Sequence, residues 1–386
     1  ANAYLEATLT RAQTGATCQA LADALVDSDP EIAADEAMGF IDELIDSQLL
    51  VCDLDPAVTG SEPIVGMLEL LRVYAPDAPA TTGLAHAVAV LAAIDRGGVG
   101  QDAAVYTDLA DYLMALPAEV ERARLFQVDL VKPAPDAVLG VAVRDEIERG
   151  MTLLQQLRPR SPNRALEEFV RAFQARYEDR EVELTAALDD DLGVGFQVGS
   201  DPTGLGAPLL ADLHLPVAPS SENGPRLTPL HRFLLRRLEA SWRAGDHELV
   251  LTPGDIEAIA ADDPARIADA MSAMVTISAE SPQAIARGEF ELLWRGAGGP
   301  SGARLLGRFC HASGAIDELV RAHLAAEEAL QPEAAFAEIV HLNEGRLGNI
   351  LCRPVLRDYE IPFLGISGAP RAQQIPVQDL MVSVRN

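Results

Sequence analysis

The spacing of apolar residues changes along this chain, and the change limits the folds open to it. Up to about residue 120, apolar positions recur at three and four, the period of a helix buried on one face. Beyond that point alternating and β-branched runs become common, as in half-buried strands. The helical stretches come first and the strand-rich ones later. That order selects an α+β fold, with a helical N-terminal part followed by a mixed, strand-richer core.

Residues 16–52 read as two short helices and a strand. Thr17 is placed to cap the first, which carries Leu21 and Leu25 on one face. The second sets Ala37, Phe40, Ile41, Leu44 and Ile45 at spacings of three and four, and LLVC at 49–52 supplies a β-prone end. Helix, helix, short strand is the tail of a winged-helix module; it is equally any helical hairpin. A turn-rich linker at 53–64 follows, then helical stretches near 65–75, 84–96 and 104–116.

From 121 onward the pattern is mixed. Helices are expected over 136–157 and 163–177, and a capped one begins at Thr252 with Pro253 in its first turn. Strands are expected in RLFQVDLV (124–131), EVELTAAL (181–188), MVTISAE (274–280), FELLWRG (290–296), AFAEIVHLN (335–343), GNILCRPVL (348–356) and QDLMVSV (378–384). A Pro/Ser/Gly/Asn stretch at 216–225 reads as a surface loop. The organisation expected is therefore 1–55, the tail of a winged-helix module or a helical hairpin, then 56–386, helical to 120 and mixed beyond.

Composition narrows the function. The 386 residues are too many for one ordinary core. No run approaches the length of a membrane span, and the start, ANAYLEATLTRA, lacks the pattern of a signal peptide. It also lacks an initiator Met, so the chain is expected to be a piece of something longer. Four dispersed cysteines form no metal-binding pattern and read as cytosolic free thiols. The net charge of −29 argues against broad attraction to nucleic acid or anionic membrane, so a polyanionic partner would need a local basic patch. Two stretches are locally basic. RLTPLHRFLLRRLEASWR (226–243) holds five arginines against Glu239, and 341–365 holds Arg346, Arg353 and Arg357. Lys132 is the only lysine, a bias that a GC-rich bacterial genome explains, so arginine preference alone signals nothing.

Five motifs in order carry a resemblance. RLFQVDLVKP is followed by FVRAFQARYEDREVELTAALDDDLGVGF, GGPSGARLLGRF, AEIVHLNEGRLGNILCRPVLRDYEIPFLG and QDLMVSVR. Together they resemble the N-terminal, glutamylation domain of lantibiotic dehydratases, over essentially the whole chain. The resemblance implies a cytoplasmic bacterial enzyme of lanthipeptide biosynthesis. Such enzymes transfer glutamate from glutamyl-tRNA to Ser or Thr hydroxyls of a ribosomally made precursor peptide. A separate elimination domain, on the same or another chain, then leaves dehydroamino acids. The partners implied are the precursor peptide (leader and core), glutamyl-tRNA as co-substrate, that elimination domain and, in one arrangement, a second copy of the chain. No bound cofactor and no metal are implied. The family's upstream RxTPFG motif is expected before residue 1, as are the strands of its winged-helix leader-recognition element. The fragment is then expected not to complete the reaction alone. A peptide aminoacyl-tRNA ligase and a non-catalytic peptide-binding scaffold are the competing readings.

Acyl transfer from an already activated ester needs two substrates held in register, a proton acceptor and stabilisation of an oxyanion. It also needs partners for phosphate and carboxylate, for which a planar guanidinium is suited. On the resemblance, Asp129 and Arg308 are the catalytic candidates. Arg304, Arg346, Arg353 and Arg357 are candidates for binding tRNA or substrate. Phe40, Ile41, Leu44 and Ile45 are candidates for one wall of a leader-peptide groove. Each has a structural alternative: a turn-capping carboxylate for Asp129, internal ion pairs for the arginines, and a strand-packing role for His341. The glycine-rich stretch GAGGPSGA is not a nucleotide-binding P-loop, because no GK[ST] follows it.

Overall fold

The computed structural model describes residues 3–118, 120–157, 163–196, 227, 229–260, 268–342 and 350–385. The expected loop at 216–225, Arg226 and Arg346 lie outside them. The chain divides into two compact units. One comprises Ala1–Asp129, Ile339–Val355 and Pro362–Arg371; the other comprises Leu130–Glu338, Leu356–Ile361 and Ala372–Asn386.

The first unit is helical: α1 (Ala3–Ala12), α2 (Cys18–Ser28), α3 (Ala34–Asp46), α4 (Pro63–Tyr74), α5 (Pro79–Gly97) and α6 (Ala103–Leu113). Thr17 caps α2 as expected, its hydroxyl accepting from the Ala20 N–H at 3.1 Å. Leu21, Ala22 and Leu25 of α2 are buried against Ala37 and Ile41 of α3. The strand expected at 49–52 does not form. Instead α3 closes through Gln48, which has φ of 58°, and the amides of Leu49 and Leu50 both return to the Leu44 carbonyl at 2.9 and 3.0 Å. A left-handed residue with amides turned back on the last turn is a helix stop, and it uses up the donors a strand would need.

The alternating run 124–131 likewise forms no ladder. It begins in a short 3-10 turn (Arg122–Arg124) and continues as irregular backbone, with Val128 and Leu130 exposed. Alternation makes one face worth burying, but only a neighbouring strand edge turns it into sheet. GNILCRPVL also falls short of a strand in its described part: Arg353 makes a single parallel bridge to Thr59. Close by, Ala57 bridges to Ile366, and Gly368 passes so near that a Cβ on it would collide with the Thr59 carbonyl oxygen. Only glycine fits there.

The second unit mixes elements: α7 (Val141–Leu157), α8 (Arg164–Tyr177), β1 (Val182–Glu183), α9 (Leu184–Leu188), α10 (Pro229–Ala244) and α11 (Pro253–Ile259). Then come β2 (Ser272–Ser278), α12 (Pro282–Ala286), β3 (Glu291–Gly298), α13 (Gly314–Ala329) and β6 (Met381–Val382), while β4 (Ala337–Val340) and β5 (Tyr359–Pro362) hold residues of both units. Among the described residues, three two-stranded sheets result: β1 with β6, β2 with β3, and β4 with β5. EVELTAAL is strand only at Val182 and Glu183, and turns helical after them. Val182 faces Val382, and Phe169, Phe173 and Ala187 are buried beside them. Two of the quoted motifs, nearly 200 positions apart, thereby share one small core. At α11 a capping box forms as the sequence indicated: Thr252 Oγ1 accepts from the Asp255 N–H at 3.2 Å, and the Asp255 carboxylate accepts from the Thr252 N–H at 2.9 Å.

Candidate functional site

The glycine-rich loop after β3 carries Arg304 and Arg308 on successive 3-10 turns, Ala303–Leu305 and Gly307–Phe309. Ala303, Gly307 and Cys310 face inward and are buried, so the turns sit on α13 through their small residues. One carboxylate holds the loop. Glu327 of α13 is 6% exposed, and its Oε1 accepts from the Ser301 hydroxyl at 2.7 Å and from the Gly302 N–H at 3.1 Å. His323, one turn earlier, lies 2.8 Å from the same oxygen. A Cβ on Gly302 would come within 2.9 Å of the Met271 carbonyl oxygen, which explains a glycine at that close approach.

Arg357 completes this anchor. Its guanidinium bonds Glu327 and Glu328, each at 2.6 Å, and stacks 4.9 Å from the Phe336 ring centre, with only 11% of the side chain exposed. Burial opposes ionisation of Glu327. Even so, the donors from Ser301, Arg357 and Gly302, with His323 nearby, hold its carboxyl below the ordinary glutamate range. Segments from two of the motifs, GGPSGARLLGRF and RPVLRDYE, thus meet on a residue that neither contains. The Arg357 pairing is internal, as its structural alternative supposed, though with acids from α13 and not from its own segment.

The other predicted residues are distributed as follows. Arg308 is half-buried, its guanidinium 4.6 Å from the Phe309 ring centre. Arg304 is exposed and donates to the Gly299 carbonyl at 3.2 Å. Asp129 is exposed on irregular backbone and accepts from the Gln127 amide at 3.1 Å; it belongs to the first unit and Arg308 to the second. Arg353, in the first unit, donates to the Leu351 carbonyl at 3.0 Å. Ile41 and Leu44 are buried inside the helical hairpin, whereas Phe40 and Ile45 keep part of their surface. His341 packs against Phe363, with Nδ1 3.0 Å from its carbonyl oxygen. On α10, Arg237 pairs with Asp255 and Arg243 with Glu239.

Sequence reasoning missed Arg295 and Glu327. Arg295 of β3 and Arg304 line one cleft of about 290 Å³ with Ser272, Met274 and Leu305. The four cysteines are free thiols. Burial, with Glu62 beside it, pushes Cys352 up to about 11, and burial raises Cys310 as well, so neither is a ready nucleophile. Among the described residues, no group of three or more His, Cys, Asp or Glu could hold a metal ion, and no helix is long and apolar enough to cross a membrane.

A helical unit and a mixed unit, with Arg304 and Arg308 on a glycine-rich loop, define an α+β protein. Residues 1–386 match the family described as lantibiotic dehydratase, N terminus, and the chain belongs to that family. Among solved structures, it resembles the tRNA dependent lantibiotic dehydratase MibB from Microbispora sp. 107891, with a TM-score of 0.72 and 22% identity. The match covers 100% of this chain and 37% of MibB, and at this identity it shows a shared fold. No curated protein matches the sequence.

Proposed function

We propose that this chain is the glutamyl-transferring part of a lantibiotic dehydratase. It moves glutamate from glutamyl-tRNA to Ser or Thr hydroxyls of a ribosomally made precursor peptide, ahead of elimination by another domain. The observation that carries the reading is the loop at 298–309: two arginines on consecutive turns, fixed from behind by Glu327, on a chain of the family just described. A bare −29 chain repels a polyanion; guanidinium groups held at fixed points meet its phosphates individually. MibB, tRNA dependent by description and alike in fold, supports the same reading.

In this reading Arg308 stabilises the transferring group, and Asp129 orients the glutamyl amino group or accepts a proton. Arg304, Arg346 and Arg353 meet the tRNA or the peptide. Arg357, gripped by two glutamates, serves the site by holding the loop. In a winged-helix leader-recognition element, α3 would offer Phe40 and Ile45 to the peptide while Ile41 and Leu44 hold the helix in place.

Single-turnover glutamyl transfer by the full-length protein tests this. Arg308→Ala should slow transfer roughly tenfold to a hundredfold, the loss of about 1.5–3 kcal/mol from one charge-assisted bond. Arg308→Lys should recover only part, because it keeps the charge and loses the fork. Asp129→Ala should remove transfer while peptide binding persists. Wild-type rates in folded Arg308→Ala and Asp129→Ala proteins would overturn the assignment.

A further inference from the structure

The β2–β3 ladder slips by one residue. Met274 faces Gly296 and Val275 faces Trp294, so Arg295 has no opposite number. Such a bulge bends its strand and re-aims the residue left over. Arg295 and Arg304 line the same cleft, whose remaining wall is neutral: Ser272, Met274, Leu305 and the small residues at 296–298. Two guanidinium groups therefore share a cleft with no carboxylate among its described lining residues, in a chain with 59 acidic and 30 basic residues. Neither forms an ion pair among the described residues. Arg295 Nε donates to Thr276 Oγ1 at 3.3 Å, and Arg304 Nη1 to the Gly299 carbonyl at 3.2 Å. Each bond steadies a guanidinium and leaves further N–H donors for a ligand. A Cβ on Gly296 would meet nothing within 4 Å, so part of the cleft wall is bare backbone open to an incoming group.

We infer that this cleft seats a phosphate group of the RNA co-substrate, gripped by Arg295 and Arg304 together. The inference rests on the reading above that the chain handles a tRNA. Two planar forks with no counter-charge among the described lining residues suit an anion that presents several oxygens, as phosphate does. Both arginines are exposed, as contact with a group projecting from a large ligand requires.

The test is binding of labelled bacterial tRNA to the full-length protein across a salt series, with inorganic phosphate as a second titrant. Arg295→Gln and Arg304→Gln should each weaken tRNA binding roughly tenfold to a hundredfold. The double variant Arg295→Gln/Arg304→Gln should also reduce the slope of log affinity against log salt by about 0.7–0.9, as expected when one phosphate is no longer neutralised, and each single variant by less. Arg295→Lys should keep the slope and lose affinity. A merely structural role for the two arginines would leave the slope unchanged, and an unchanged slope in the double variant overturns the seat. If inorganic phosphate binds in wild type and fails to bind in the variants while tRNA binding is untouched, the site takes a small phosphate and the RNA assignment falls. Failure of wild type to bind tRNA at all would overturn the underlying reading instead. Unaltered wild-type binding in the variants would sink only the cleft.

Discussion

Glu327 occupies a position that helix spacing assigns to an apolar side chain. With Val320 and Leu324 it falls on the buried face of α13 at intervals of four and three. An acid there must be paired or it costs stability, and the structure supplies Ser301, Gly302 and Arg357 as partners. Glu327→Ala leaves Arg357 facing only Glu328 and releases the glycine loop. It should cost about 3 kcal/mol, measured as a lower urea midpoint with circular dichroism. The pH dependence has a definite sign. Because folding lowers this carboxyl below its ordinary range, its contribution is complete above that range and is lost as pH falls through the lowered value. Wild type should therefore lose stability on acidification more steeply than Glu327→Ala; parallel curves would show that Glu327 is not the titrating anchor. The candidate site was legible in sequence where motif order pointed to it, at Arg304 and Arg308. Glu327 was visible only as an acid in an apolar stripe. Arg295 was not legible at all, since the slip that turns it outward is a property of two strands together.

Elements followed the sequence where their signals are local. Thr17 and Thr252 each cap the helix that their position promised, and Asn163 caps α8 in the same way, because a cap needs only a side-chain oxygen and an N–H two or three residues on. MVTISAE and FELLWRG became β2 and β3 because each found the other. RLFQVDLV and LLVC carry equally good strand character, yet one lacks a ladder partner and the other is taken up in closing α3. Strand formation is a pairwise property that single-segment patterns do not contain. The cap at Thr252 can be tested directly. Its N–H, then Arg237, then its hydroxyl hold Asp255 down to about 2. Thr252→Ala removes the hydroxyl alone, so it should cost about 1 kcal/mol and raise the Asp255 pKa partway to normal. Carbon-13 NMR titration of Asp255, alongside a denaturant midpoint, reads both; an unmoved pKa would mean that the hydroxyl contributes nothing.

At the scale of the whole molecule, added salt should act on stability and on the proposed RNA binding in opposite directions. With 59 acidic residues against 30 basic ones, the folded chain carries a net self-repulsion at neutral pH. Attractive pairs do not cancel it. Arg144–Asp145 and Arg385–Glu181 are exposed on both sides, and pairs of that kind contribute only about 0–1 kcal/mol each. The sheltered pairs, such as Arg357–Glu327, are screened little by salt because water and ions reach them poorly. Raising the ionic strength to about 0.15 M shortens the screening distance to about 8 Å, which weakens the long-range repulsion and spares the buried anchor. The melting temperature should therefore rise between low salt and 0.15 M. If the proposed function holds, affinity for tRNA should fall over the same range, because each phosphate that the protein neutralises releases counterions. Thermal unfolding followed by circular dichroism, paired with tRNA binding in the same buffers, measures the two responses together. A melting temperature that falls with added salt would mean that surface ion pairs outweigh the acidic repulsion. The stability of the fold would then depend on the exposed arginines much more than their exposure allows.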